Sequence, residues 1–158
     1  MNRSVNLRPA RADDYAFALG LYVETIKPYT VEFMAWVDEV ENARFAKLWT
    51  SSDTQIITLD DRDVGWLEAS DTGPEIFLKQ LYVTPALQRR GIGTQVMWLL
   101  LEEWRGTRKP IVLGVLKNNP ARRFYERLDF TVVGETDMKF MMRREPHPPS
   151  RSSAHTSR

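Results

Sequence analysis

Gln88-Arg89-Arg90-Gly91-Ile92-Gly93-Thr94 stands between two apolar runs of different character. Before it lies Phe77-Leu78-Lys79-Gln80-Leu81-Tyr82-Val83, which reads as a strand and is broken at Pro85. After it lies Val96-Met97-Trp98-Leu99-Leu100-Leu101-Glu102-Glu103-Trp104, which reads as a helix. Two glycines at a strand-to-helix junction let the backbone fold into a tight concavity. Its N–H groups then point at whatever sits above the helix N-terminus, where the macrodipole favours negative charge. Arg89 and Arg90 add full positive charge beside it. Such a loop suits a pyrophosphate, so the first expectation is a nucleotide-like cofactor.

The chain on either side supplies the rest of an α/β fold. Val5 to Arg8 reads as a short strand, and Asp13 or Asp14 caps a helix running to about Ile26. Ala16, Leu19, Val23 and Ile26 are its expected apolar face, and Pro28 is its expected stop. An aromatic connection with Tyr29, Phe33 and Trp36 leads to a second amphipathic helix, Asp38 to Trp49, facing inward through Val40, Ala43, Phe45 and Leu48. Thr54 to Leu59 and Val64 to Ala69 form a hairpin about Asp60-Asp61-Arg62-Asp63, and Glu75 to Val83 is the next strand. Pro110 to Leu116 is a buried strand, and Asn119-Pro120 starts a helix that runs to about Leu128. Phe130 to Val133 and Met138 to Met142 close the pattern. The order predicts a mixed, largely antiparallel sheet with helices on both faces and a crossover in the second half.

At 158 residues the chain is expected to fold as one domain over 1–145. Residues 146–158, rich in Pro, Ser and Arg, read as a flexible tail. The balance of 22 basic to 21 acidic residues gives a net charge of +1, which argues against a nucleic-acid partner. No apolar run is long enough to span a bilayer, and the N-terminus lacks an apolar segment of signal-peptide length, so the expected location is cytoplasmic with no membrane partner. There is no cysteine, and the only histidines are His147 and His155, which excludes thiolate chemistry and argues against a metal site. Chemistry must rest on carboxylates, tyrosines, lysines or backbone dipoles.

These residues, in this order, resemble the GNAT superfamily of N-acetyltransferases. The family's phosphate-loop pattern, Gln or Arg, two residues, Gly, one residue, then Gly or Ala, matches at Gln88, Gly91 and Gly93. A second pattern, Asn, Ala three residues on, Tyr four further and a closing Gly-Phe, matches at Asn118, Ala121, Tyr125 and Phe130. The strand before the loop ends Leu81-Tyr82-Val83-Thr84-Pro85, which is also typical. The resemblance covers residues 5 to 144. One departure is Asp129, where the family has Gly; Asp tolerates the left-handed conformation that such a helix end requires.

The resemblance implies a GNAT-like sheet with a splayed strand pair and acetyl-CoA as cofactor. The backbone around Gln88, Arg89, Arg90, Gly91, Gly93 and Thr94 would hold its pyrophosphate, although Arg89 and Arg90 fit an ordinary solvent-facing role equally well. Leu81, Tyr82 and Val83 would pair with the pantetheine arm as an added strand does, and one of these amides could hold an oxyanion. Asn118 would bond the same arm. Tyr125 would protonate the departing thiolate, for which a phenol pKa of about 10 is well matched.

The general base is where the sequence departs from its family. Many members carry a carboxylate roughly where this chain has Lys79 and Gln80, neither a good base. Glu68 and Glu75 are the candidates, with a water relay or an already neutral amine as the other possibilities. Tyr29, Glu32 and Trp36 could frame a pocket for an organic cation; the aromatics could equally be core, and Glu32, like Glu24, a solvated charge. The reading is direct acetyl transfer to a primary amine, with a small-molecule acceptor and room for a homodimer. The rivals are a protein or peptide N-terminal acetyltransferase and a non-catalytic acyl-CoA-binding module.

Overall fold

The computed structural model describes residues 4–88 and 90–146. Arg89 and almost all of the expected tail lie outside them. Seven strands form one sheet in the order β1-β2-β3-β4-β5-β7-β6. They are β1 (Val5–Pro9), β2 (Thr54–Leu59), β3 (Arg62–Asp71), β4 (Ile76–Val83), β5 (Ile111–Leu116), β6 (Thr131–Glu135) and β7 (Lys139–Arg144). The helices are α1 (Tyr15–Thr30), α2 (Asp38–Leu48), α3 (Ile92–Trp104) and α4 (Ala121–Glu126). Every pairing is antiparallel except β4 with β5. Among the described residues, no helix is long and apolar enough to cross a membrane.

Alternation along the strands divides the core between the two faces of the sheet. Leu67, Leu78 and Leu113 face the α3 side and pack with Val96, Met97 and Leu100. Ile56 and Trp66 face the other side and pack with Ala18 and Leu21 of α1 and Phe45 of α2. Trp66 is fully buried, and its Nε1 donates to the Ala18 carbonyl at 3.1 Å, which satisfies the indole and ties α1 to β3. Gly65 is obligatory where β3 meets β4: a Cβ there would stand 2.2 Å from the Tyr82 carbonyl oxygen.

Two expectations about α1 and α2 are corrected. Pro28 does not stop α1, which runs on to Thr30. A proline in the last turn costs one backbone bond, and Thr30 Oγ1 supports that turn by donating to the Ile26 carbonyl at 3.0 Å. The inward face is also shifted: α1 buries Ala18, Leu21 and Thr30 and leaves Ala16 exposed. In α2, Phe45 is buried with Glu41, while Val40 and Leu48 face out. Both helices are weakly amphipathic, so periodicity alone set their rotation poorly. By contrast, Asp129 takes φ 71°, the left-handed conformation expected of it.

Candidate active site

The fold opens a cleft where β4 and β5 part. They pair only at Ile76↔Ile111 and Phe77↔Val112. Beyond these, β5 stays paired with β7 while β4 stays paired with β3. The cleft between them measures 1110 Å³. Leu78 to Val83 line it from β4 and Leu113 to Leu116 from β5. β4 therefore presents backbone groups with no strand partner on that edge.

One end of the cleft is the Gly91–Gly93 turn. Gly91 adopts φ 80° as the residue before α3, and no side chain caps that helix. A Cβ on Gly91 would meet no other atom within 4 Å, so conformation and not crowding calls for glycine. Gln88 donates from Nε2 to the Val83 carbonyl at 2.9 Å and so pins the loop to the end of β4. Gln88, Gly91, Gly93 and Thr94 line the cleft together with Leu81, Tyr82 and Val83; Arg90 is exposed and outside the lining. An uncapped first turn at a left-handed glycine, beside an open strand edge, fits a pyrophosphate followed by an amide-bearing arm. The cofactor expected from the sequence fits the residues present.

Asn118 follows β5 and lies outside the cleft lining. Its Nδ2 donates to the Tyr29 carbonyl at 3.0 Å, and it ties the end of α1 to the β5–α4 turn. Its Oδ1 is buried without a partner. The neighbouring Asn119 lines the cleft and caps α4 through Oδ1, which accepts from the Ala121 N–H at 2.9 Å.

Tyr125 lines the cleft from α4, its ring edge-on to Phe124 at 5.1 Å and to Phe130 at 5.6 Å. Burial alone pushes its phenol well above the ordinary value. Tyr82 is also raised well above the ordinary value, first by burial and then by the nearness of Tyr22, Tyr125 and Glu68. Both phenols therefore keep their protons at neutral pH.

The two candidate carboxylates part company. Glu75 lies just before β4, at the paired end of the sheet, where Arg143 Nη1 approaches it at 3.4 Å; it does not line the cleft. Glu68 does. It is 2% exposed, and the β3–β4 register sets it opposite Gln80. Gln80 Nε2 donates to Glu68 Oε1 at 2.9 Å, and the Tyr82 hydroxyl donates to Gln80 Oε1 at 3.1 Å. Among the described residues Glu68 Oε2 accepts no hydrogen bond; Lys79 Nζ stands 3.7 Å away. Lys79 and Gln80, poor bases themselves, thus flank a buried carboxylate supplied by the next strand.

At the far end α1 and α2 form the wall. Tyr29 and Trp36 line it, joined by Tyr22, Met34 and Arg44, while Glu32 is exposed and outside the lining. Tyr22 packs at 5.9 Å from Tyr82 and 6.2 Å from Trp36, so the aromatics are wall and core at once. The Tyr22 phenol is raised, by burial first and then by Glu41, against an opposing effect of Arg44. Sequence reading missed Tyr22, Glu41 and Arg44, since a helix of unknown rotation hides which of its polar residues turn inward.

The family model for the acetyltransferase (GNAT) domain matches residues 47–132, more than half of the chain. A curated relative, phosphinothricin N-acetyltransferase of Streptomyces viridochromogenes, is 26% identical over 141 residues, covering 84% of this chain and 77% of that protein. Among solved structures, the PaiA N-acetyltransferase of Thermoplasma acidophilum, crystallised with coenzyme A, superposes with a TM-score of 0.74 at 15% identity, over 90% of this chain and 99% of that one. A ribosomal-protein-alanine N-acetyltransferase of Escherichia coli gives 0.66 at 16% identity, over 92% and 96%. With a splayed β4–β5 pair, a glycine turn above α3 and the matching domain model, the chain belongs to the GNAT family of acetyltransferases, whose acetyl donor is acetyl-CoA.

Proposed function

We propose that the protein transfers an acetyl group directly to the primary amine of a small molecule, and that Glu68 receives the amine's proton. The observation that carries this reading is Glu68 Oε2, a buried carboxylate oxygen in the cleft lining with no hydrogen-bond donor of its own. Acetyl-CoA supplies an activated acyl carbon and a thiolate leaving group. Gly91, Gly93 and Thr94 hold its phosphates, and the open edge of β4 holds its arm. Glu68 Oε2 orients an ammonium and takes its proton, which frees the nitrogen lone pair. As the C–N bond forms and the C–S bond breaks, Tyr125, kept protonated by burial, gives its proton to the departing sulfur and regains one from the second proton that the attacking nitrogen sheds. Direct transfer is supported by the absence of any cysteine to carry an acyl group. Tyr22, Tyr29 and Trp36 on the acceptor wall favour a compact organic substrate, and the likeness to a phosphinothricin N-acetyltransferase supports nitrogen as the acceptor atom.

The test is a pH–rate profile of the parent, Glu68→Gln and Glu75→Gln with one active amine. Glu68→Gln should lose about 10²- to 10⁴-fold in rate at neutral pH, and the loss should shrink at high pH, where the amine is already neutral. Glu75→Gln should follow the parent. Superimposable profiles for the parent and Glu68→Gln would remove Glu68 from the chemistry.

A further inference from the structure

We propose that Lys79 and Glu68 act as a paired reader of the acceptor. The enzyme then selects amines that carry an anionic group close to the nitrogen, zwitterions of the amino-acid kind, over plain cations such as polyamines. The proposal rests on the reading of Glu68 given above and adds the substrate class.

Lys79 owes its position to an irregularity in β4. The register with β3 passes from Glu68↔Gln80 to Ala69↔Leu78, so Lys79 is an extra residue with no partner across the strands. Its side chain lines the cleft and is 39% exposed, and Nζ reaches to 3.7 Å from Glu68 Oε2. That is an ion-pair separation but longer than a charge-assisted hydrogen bond, which runs at about 2.7–2.9 Å. The pair is loose: Oε2 has no hydrogen-bond donor, and the ammonium is half in solvent.

This geometry discriminates between amines. A substrate bearing only an ammonium approaches Oε2 against the like charge of Lys79, which it must displace into solvent. A zwitterion faces no such conflict. Its ammonium sits on Glu68 Oε2 and its anion on Lys79 Nζ, and each of the four charges has an opposite neighbour. The remaining charge of the cleft points the same way: Arg123, Arg127 and Lys139 join Lys79 in the lining, while Arg44 and Glu41 pair with each other at 3.1 Å and leave Glu68 as the other acid among the described residues. A polyamine groove needs the reverse balance.

The experiment measures kcat/KM for a set of amino acids, each against its own primary amide, with spermidine and a short peptide alongside. The parent should prefer the amino acid at least tenfold, since a hydrogen bond to a charged group carries about 10- to 100-fold. Lys79→Met should erase most of that preference, lowering kcat/KM for the amino acids at least tenfold more than for the amides, and Lys79→Arg should keep it. Lys79 is half exposed, and matched melting curves verify that the variants fold. Amides or spermidine turned over as well as amino acids by the parent would overturn the proposal, as would Lys79→Met lowering both classes alike. In either case a Glu68→Gln variant that still loses rate on every amine leaves the Glu68 reading standing. A fully active Glu68→Gln, or no turnover of any amine, overturns both.

Discussion

The hydroxyl of Tyr82 donates to Oε1 of Gln80 at 3.1 Å, which matches the amide orientation that the acceptor-only Glu68 carboxylate requires. With Oε1 engaged, Nε2 faces Glu68 and donates to Oε1 of the carboxylate at 2.9 Å. One oxygen of Glu68 is thereby fixed, and the other is left buried with no hydrogen-bond partner among the described residues. Two consecutive alternate residues of β4 thus orient a group on β3.

Gln80 is accordingly a positioning residue, and two substitutions separate its contributions. Gln80→Leu removes the donor and should lower kcat/KM by about 10-fold or more, the value of a hydrogen bond to a charged group. Gln80→Glu is nearly isosteric but sets a second carboxylate beside Glu68. Like charges disfavour ionisation, and so does the loss of a hydrogen bond to the charged form, so the acid limb of the pH–rate profile should move to higher pH in both variants and further in Gln80→Glu. A pH profile for Gln80→Glu identical to the parent's would show that Gln80 does not act through Glu68.

The phosphate turn makes a prediction that is independent of the chemistry. Acetyl-CoA at a hundred times its dissociation constant should stabilise the fold by about 2.7 kcal/mol and raise the melting temperature by roughly 5 to 10 °C. Gly91→Glu should abolish the shift. Gly91 holds φ 80°, which a side chain tolerates poorly, and a carboxylate there would repel the phosphates proposed to sit in the turn. Gly91→Ala separates the two effects: it keeps the backbone strain without the charge, so it should melt lower unliganded and still respond to acetyl-CoA. Differential scanning fluorimetry with and without ligand reads both. A full response in Gly91→Glu would place the pyrophosphate elsewhere.

The same turn explains what could be read from the chain before its structure. Gln88, Gly91 and Gly93 are a local pattern whose meaning is set by neighbours in sequence, and so is the Asn119-Pro120 start of α4. Strand limits such as Thr54–Leu59 follow from β-branched runs and turn residues, which are local too. Which carboxylate reaches the cleft was not legible because it depends on register. Counting back from the Asp71↔Ile76 pair of the β3–β4 hairpin would set Glu68 opposite Lys79; the extra residue moves Gln80 there instead. Glu68 and Glu75 look alike in sequence, yet the sheet places one in the cleft and the other against Arg143. Asn118 shows the same dependence on distant chain: its Nδ2 is held by the Tyr29 carbonyl, 89 residues away, while its Oδ1 has no partner among the described residues.

Tyr125 provides the last test. Its ring is held by Phe124 and Phe130 whether or not the hydroxyl is used, so packing and catalysis predict different outcomes for one atom. Tyr125→Phe keeps the ring contacts and should leave stability and acetyl-CoA affinity close to the parent's. If the hydroxyl supplies the proton for the leaving sulfur, kcat should fall by about 10²-fold, within the usual range of general acid catalysis, with kcat/KM falling in step. The pH dependence fixes the sign. Burial raises the phenol above its ordinary value near pH 10, so Tyr125 is fully protonated through the assay range and contributes no limb of its own. The loss in Tyr125→Phe should therefore be constant from about pH 6 to 9, unlike the loss in Glu68→Gln, which shrinks as pH rises. The decisive measurement is single-turnover acetyl transfer, in which product release cannot mask the chemical step. An unchanged single-turnover rate in Tyr125→Phe would assign the hydroxyl to the cleft wall and leave the sulfur to take its proton from water.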